Sequence, residues 1–459
     1  MTKELVNRIN KEREQYLNEL IEFLKIPSIS SISDYQPAVQ RCSNWLVKHF
    51  KSIGIEDARA IQTPGHPIVF AQWLEAGKNA PTVLVYGHYD VQPVDPLELW
   101  KTPPFEPIVS KNKIYARGTS DDKGQLFTHI KAVEAHLKTF GKLPVNIKFL
   151  IEGEEEAGSS HLDEFIEQNS KMLACDAVLI SDTEWFADGM PSICYGLRGI
   201  SYLELTVTGA NRDLHSGTYG GAIDNPINVL CWMIAQLKDN YGRVRIPHFY
   251  DDVIALTDLE REEYLRLPFD EKQYCMDLNI KGINGEWGYT TLERVWARPA
   301  LDVNGIIGGY TGEGAKTVLP SKATAKLSMR LVPNQKADKI SELTIAYLKE
   351  ITPPTVDLTI KYLHGGNPVM VPIDSPVVDS AKKAMKQAFG KEPVFMREGG
   401  SIPIVETFKR VLNAPTVLMG LGLPGDNIHS PNENLDLNNF YGGILASALF
   451  LFEFKKNYK

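Results

Sequence analysis

The spacing of apolar positions up to about residue 199 predicts helices and strands in alternation. Residues 3–24 place Leu5, Ile9, Tyr16 and Leu20 near one helical face, and residues 37–53 predict a second helix. Apolar runs at 67–73, 81–86 and 113–117 predict strands. In 124–140, Leu126, Ile130, Val133 and Leu137 recur at helical spacing. A strand at 145–152, a helix at 160–173 and a strand at 176–181 continue the cadence. From about residue 200 it changes: an alternating strand at 200–209, a helix at 225–238, and a long irregular charged excursion at 239–299. Extended runs at 301–309 and 321–332, a helix at 337–351 and a strand at 356–363 follow. The first cadence then returns, with helices at 375–389, 403–411 and 439–454 and strands at 394–397 and 416–420.

The middle set has the order βαββαβ, a ferredoxin-like α+β arrangement. The simplest account is a layered α/β domain with a central sheet, in two parts at 1–199 and 368–459, interrupted by an inserted domain at 200–367. A length of 459 residues fits more than one core. Net charge of −8 and a pI near 5.8 argue against a nucleic-acid partner, which needs a basic face. No window is apolar enough to span a membrane, and the N-terminus lacks the apolar core of a signal peptide. The five cysteines are scattered without CxxC spacing, which fits a reducing cytoplasm. Cys175, Cys194 and Cys231 have apolar neighbours in sequence and are expected to be buried thiols.

Five polar clusters interrupt the frame. The run from Val83 ends in Gly87-His88-Tyr89-Asp90. Residues two apart in extended chain point the same way, so His88 and Asp90 share a side, as a metal ligand and its orienting carboxylate do. The others are Ser120-Asp121-Asp122, Glu152-Gly-Glu154-Glu155-Glu156, Ser181-Asp182 and Asp426-Asn-Ile-His429. Taken singly, each has an ordinary explanation, such as a helix N-cap, a solvated acidic loop or a loop histidine. Taken together, His88, Asp121, the Glu154–Glu156 group and Asp182 are all expected at the carboxyl ends of strands, where α/β sheets gather working groups. Histidines and carboxylates without cysteine suit zinc, manganese or cobalt. One carboxylate shared between two ions makes a site about 3.5–4 Å across.

These clusters, with Asp213-Leu-His215-Ser-Gly217 and His429-Ser-Pro-Asn-Glu433, resemble the co-catalytic two-metal metallopeptidases. That family includes cytosolic non-specific dipeptidase, carnosinase, glutamate carboxypeptidases, aminoacylase and succinyl-diaminopimelate desuccinylase. The resemblance runs in the same order through nearly the whole chain. Tyr195-Gly-Leu-Arg-Gly199, Gly314-Ala-Lys-Thr317-Val318 and Arg397-Glu-Gly-Gly400-Ser401-Ile-Pro403 place it nearest the dipeptidase and carnosinase branch.

The resemblance implies that Asp121 bridges two divalent ions, zinc or manganese, with His88 and Asp182 on one and Glu156 and His429 on the other. It implies that Asp90 orients His88, that Glu155 is the general base, and that the Asp121–Asp122 peptide is cis. Such a site activates a metal-bridging hydroxide for attack on an amide, with Glu155 passing the proton to the leaving amine. The adjacent Glu154 is expected to raise the pKa of Glu155. The resemblance further makes the inserted domain a lid and dimerisation domain, with His215 steadying the oxyanion from the partner subunit. It assigns Arg330, Gly400, Ser401 and Thr317 to the free C-terminal carboxylate of a short peptide, alongside His215. The expected protein is a cytoplasmic homodimeric dipeptidase; the alternatives are an N-acyl-amino-acid deacylase and a non-catalytic binding protein on the same fold. Gly309-Tyr-Thr-Gly-Glu-Gly-Ala-Lys316-Thr317 is near a phosphate-binding loop, but Ala315 stands where the pattern requires glycine.

Overall fold

The computed structural model describes residues 2–399 and 404–458. The chain divides into two compact units, Met1–Tyr195 with Val371–Met396 and Ile404–Lys459, and Gly196–Met370 with Arg397–Pro403. In chain order the main strands are β1 (Asp57–Ile61), β2 (Ile68–Trp73), β3 (Thr82–His88), β4 (Asn146–Glu152), β5 (Ala177–Ile180), β6 (Ser192–Leu197), β7 (Gly199–Thr208), β8 (Ala300–Gly308), β9 (Lys322–Leu331), β10 (Asp357–Gly366) and β11 (Thr416–Leu418). The main helices are α1 (Thr2–Leu24), α2 (Gln36–Ser52), α3 (Lys123–Phe140), α4 (Pro226–Gln236), α5 (Ala337–Ile351), α6 (Pro376–Phe389) and α7 (Leu437–Asn457). Among the described residues, no helix is long and apolar enough to cross a membrane.

In the first unit a mixed sheet has the order β1-β2-β4-β3-β5-β11-β6. Its middle is parallel: β3 pairs in parallel with β4 and β5, and β11 with β5. Parallel strands are covered on both faces, so they read as continuous apolar runs. β4 is accordingly buried at every residue, and β3 at all but Thr82. Helix α3 packs on α1, α7 and β3, and its buried positions run unbroken from Lys123 to His136. β1 lies at the sheet edge, and its run Asp-Ala-Arg-Ala-Ile is too polar to be found from apolar pattern alone.

Asp121 does not follow a strand of this sheet, contrary to the sequence expectation. The strand before it, Lys113–Tyr115, belongs to a separate three-stranded sheet with Ile108–Ser110 and Asn434–Asp436. The helix expected at 160–173 breaks at Asn169 into Leu162–Gln168 and Ser170–Leu173.

In the second unit a four-stranded antiparallel sheet has the order β8-β9-β7-β10. With α4 on β7 and β9 and α5 on β7 and β10, the chain order is βαββαβ. Strand β7 alternates buried and half-buried residues along its whole length. Leu203, Leu205 and Val207 pack with Leu230, Met233 and Ile340 as its core. The 239–299 stretch is less irregular than expected, since it holds the helices Asp258–Arg266, Glu271–Asp277 and Thr291–Trp296. Two of them start with reciprocal capping boxes, Thr257 with Glu260 and Thr290 with Glu293, a Thr-x-x-Glu signal that was present in the sequence. Cys194 is buried and Cys175 half-buried, but Cys231 is exposed. It lies on the outer side of α4, whose Val229, Leu230 and Met233 turn inward.

Candidate metal centre

The parallel strands deliver the site. His88 is the last residue of β3, Asp182 follows β5, and the turn Glu155–Ala157 follows β4. A Cβ at Gly87 would stand 2.6 Å from Asp122 Oδ2, so glycine lets that carboxylate close on the strand end. Asp122 Oδ2 accepts the His88 amide at 3.2 Å, and the Asp121–Asp122 peptide is cis.

Asp121 stands at the centre with one oxygen toward each histidine. Its Oδ1 is 3.0 Å from His88 Nε2 and its Oδ2 is 2.8 Å from His429 Nε2. His88 Nε2 is also 4.0 Å from Asp182 Oδ2, and His429 Nε2 is 3.3 Å from Glu156 Oε2. The result is two donor triplets, His88-Asp121-Asp182 and Asp121-Glu156-His429, each with its donor atoms within 4.8 Å of one another.

Asp90 ties the two sides. His88 Nδ1 lies 3.1 Å from the Asp90 carbonyl oxygen and 3.4 Å from its Oδ1. The same carboxylate accepts the Glu155 amide at 3.2 Å and the Glu156 amide at 3.1 Å. One wholly buried side chain thus sets both an imidazole and the turn carrying two glutamates.

The electrostatics follow from crowding. Burial, reinforced by Glu156, Asp121 and Glu152 and opposed by His88, holds the Glu155 carboxyl well above its ordinary range. Burial and then the Asp122 and Asp121 carboxylates do the same to Asp182. For Asp121 burial is outweighed by hydrogen bonds from both imidazoles, and its pKa falls. Hydrogen bonds to Asp121 and Glu156 raise His429 to about 10, and His88 is raised well above its usual value against the effect of burial. Glu154 is not among the largest of these influences on Glu155. Its carboxylate is 2.9 Å from His161 Nδ1 instead.

The donor set fits divalent cations. It has two imidazoles, three carboxylates of which Asp121 is shared, and no ammonium or thiolate, and Glu156 Oε1 is buried without a hydrogen-bond partner. A third cluster of similar composition, Glu19-His49-Glu134, shows the contrast. There the Lys131 ammonium already sits among the acceptors, 2.7 Å from His49 Nε2, 2.6 Å from Glu134 Oε2 and hydrogen-bonded to Glu19.

A family model described as peptidase family M20/M25/M40 matches residues 84–453, which contain every residue of both triplets. The chain belongs to this family. It is 34% identical to the Cys-Gly metallodipeptidase DUG1 of Candida albicans, over 98% of this chain and 97% of that protein. It is 33% identical to the human Beta-Ala-His dipeptidase, over 87% of this chain and 79% of that one. Among solved structures it resembles the di-peptidase Dug1p of Saccharomyces cerevisiae with a TM-score of 0.89 and 31% identity, covering 100% of this chain and 99% of that one. These M20 relatives are named dipeptidases, and the branch expected from the motifs is the one they occupy.

The remaining candidates belong to the second unit or fall outside the described residues. His215 pairs with Val318 across a two-residue ladder, and the Thr317 carbonyl accepts the Ser216 amide at 3.0 Å, so His215 and Thr317 are neighbours. His215 is exposed, and its Nδ1 accepts the Gly217 amide at 3.0 Å. That bond leaves Nε2 as the protonated, donating nitrogen of the neutral ring. Arg330 is half-buried on β9, opposite Ala300 and Ile200. Burial and the proximity of Arg330 lower the pKa of Arg198 to about 10. Gly400 and Ser401 lie outside the described residues.

Sequence reasoning assigned no contact to three groups that touch the ligand candidates. Gln92 donates to Glu156 Oε2 at 2.6 Å, Asp122 holds the His88 amide, and Glu433 underlies Asp121. Gln92 lies four residues beyond His88 in the same stretch, and that proximity was its one available signal.

Proposed function

We propose that this chain hydrolyses the amide bond of dipeptides and other short peptides with a free C-terminal carboxylate. The observation that carries the reading is the pair of donor triplets sharing Asp121, with the Glu155 carboxyl under the electrostatic influence of His88, Glu156 and Asp121 from those triplets. Its M20 membership supports a metallopeptidase, and relatives named for Cys-Gly and Beta-Ala-His support a dipeptide substrate.

In this reading His88, Asp121 and Asp182 hold one divalent cation, and Asp121, Glu156 and His429 the other, zinc or manganese. When bound, the two cations polarise the scissile carbonyl and acidify a water. Glu155 belongs to neither triplet, so its carboxylate is left to accept the proton and return it to the leaving amine. Asp90 keeps His88 and the Glu155–Glu156 turn in register while that proton moves. His215 offers Nε2–H to the developing oxyanion from the other subunit of a homodimer, which makes the second unit a lid and dimerisation domain. Arg330 grips the substrate carboxylate, with Thr317, Gly400 and Ser401 as its companions. A reducing, cytoplasmic setting suits the five unbridged cysteines.

The test is a panel of dipeptides against N-acetyl and N-succinyl amino acids, with zinc or manganese supplied. Turnover of dipeptides and loss of it with chelator are expected. Turnover of acylated substrates alone would replace this reading with the deacylase, and binding without cleavage would replace it with a non-catalytic binding protein.

A further inference from the structure

Glu433 is wholly buried, yet its carboxylate receives four hydrogen bonds. Oε1 accepts the Ser120 amide at 2.9 Å and the Asp121 amide at 3.1 Å. Oε2 accepts the Gly118 amide at 2.8 Å and Arg117 Nη1 at 2.9 Å. Three amides within four consecutive residues therefore converge on one side chain that enters from 312 residues further along the chain. Carboxylates bound by several donors are rigidly placed and costly to disturb.

The surroundings make this clamp stiff. Arg117 is itself buried, and its Nη2 donates to the Pro93 carbonyl at 2.9 Å. The Ser120 hydroxyl donates to Asp426 Oδ2 at 3.1 Å, and Gln125 Nε2 donates to the Ser120 carbonyl at 2.7 Å. The Glu433 carbonyl accepts the Ala116 amide at 3.2 Å, just before Asn434–Asp436 pairs with Lys113–Tyr115. Four residues before Glu433 lies His429, on a turn with φ of 57° at Asn427, 61° at His429 and 66° at Asn432. One carboxylate thus fastens the backbone of the shared ligand candidate to the segment that supplies the second histidine.

We propose that Glu433 is a positioning residue for the metal centre: it holds the Asp121 backbone, and through its own segment His429, so that both triplets are pre-arranged before any cation arrives. Its carboxylate bonds to backbone amides and Arg117 rather than to the donor atoms of the triplets, so it acts through Asp121. The proposal rests on the two-metal reading of Asp121 given above.

The test measures Mn2+ affinity of the full chain by titration calorimetry or by the electron paramagnetic resonance of free Mn2+, with circular dichroism and thermal unfolding of the chelated protein alongside. Glu433→Gln keeps the shape but puts an amide NH2 against groups that are all donors. Its Mn2+ dissociation constant should rise about 10–100-fold, the range seen when a partner behind a ligand is removed. An Mn2+ affinity within twofold of the parent, whatever happens to the melting temperature of the chelated protein, would overturn the proposal and leave Glu433 a structural residue. Should Glu433→Gln not fold, Glu433→Asp is judged by the same criterion, because it keeps the charge for Arg117 and withdraws it by one methylene. Should neither fold, hydrogen exchange of the parent decides. Slow exchange of the Ser120 and Asp121 amides before Mn2+ is added supports the clamp, and protection only after it is added rejects it. Asp121→Asn separates the two readings: if it binds Mn2+ as the parent does, the two-metal reading fails, whereas weak binding by Asp121→Asn with parent-like binding by Glu433→Gln sinks this proposal alone.

Discussion

Single carboxylates do different work here because of what touches them. Asp121, Glu155 and Asp90 lie within a few ångströms of the same imidazole or turn, yet only Asp121 faces both histidines. Glu155 is the residue whose loss should leave cation binding intact. Glu155→Gln is expected to lower kcat by about 10²–10⁴-fold, the share a positioned general base contributes, with Mn2+ affinity unchanged. Steady-state kinetics beside calorimetry read both, and a matching fall in affinity would make Glu155 a ligand. Asp90→Ala should behave oppositely: it removes the carboxylate beside His88 Nδ1, leaving that nitrogen only the Asp90 carbonyl, and strips two turn amides of their acceptor, so Mn2+ affinity should fall about 10–100-fold. These acids were visible as residues in the sequence, but Glu154 takes a partner that the sequence did not announce. It stands next to Glu155 in the chain and pairs with His161 instead.

At the scale of elements, α3 is the support on which the Asp121 turn rests. A Cβ at Gly124 would lie 1.9 Å from the Thr119 carbonyl oxygen and 2.7 Å from Leu435 Cδ2, so the first turn of α3 is pressed against the loop it anchors. Gly124→Ala should therefore destabilise by about 1–3 kcal/mol through overpacking, although alanine is the better helix former. Urea unfolding would show it, and a stabilised variant would mean that the loop yields freely. The helices with one apolar face and the fully buried strands were legible because their periods are 3.6 and 2 or their runs unbroken. α5 lies at 337–351 as its pattern predicts. β1 and the short strands at 108–110 and 434–436 were missed, since edge or very short strands carry too few apolar residues to form a pattern, and β6 was missed although all six of its residues are buried.

At the scale of the molecule, cation binding and folding are linked. Each triplet is acid and imidazole brought together only in the folded chain, so a cation binds the native state and not the unfolded one. At a hundred times its dissociation constant, a cation should add about 2.7 kcal/mol of stability per site. The expected result is a melting temperature that rises with Mn2+ or Zn2+ and falls back with chelator; a transition indifferent to both would remove the site. The proposed homodimer makes a second prediction. His215→Ala and Glu155→Ala chains should each be nearly inactive, and mixing them under conditions that exchange subunits should restore part of the activity. No recovery in demonstrated heterodimers would confine each site to its own chain.

Residue chemistry and local pattern were enough to single out the five side chains that the two donor triplets contain. The histidines, the acidic runs and the glycines at strand ends are local statements, and the order of the clusters is itself a property of the sequence. Convergence was not, because parallel pairing joins β3, β4 and β5 across many intervening residues and so brings the ends carrying His88, Glu156 and Asp182 together, while Asp121 comes in from outside that sheet, on the loop before α3. Folding likewise decided that Glu433, a distant acid with no periodicity to announce it, turns inward beneath Asp121. The physical reason is that covalent neighbours set propensity, whereas long-range hydrogen bonds and burial set which charges must share one small space.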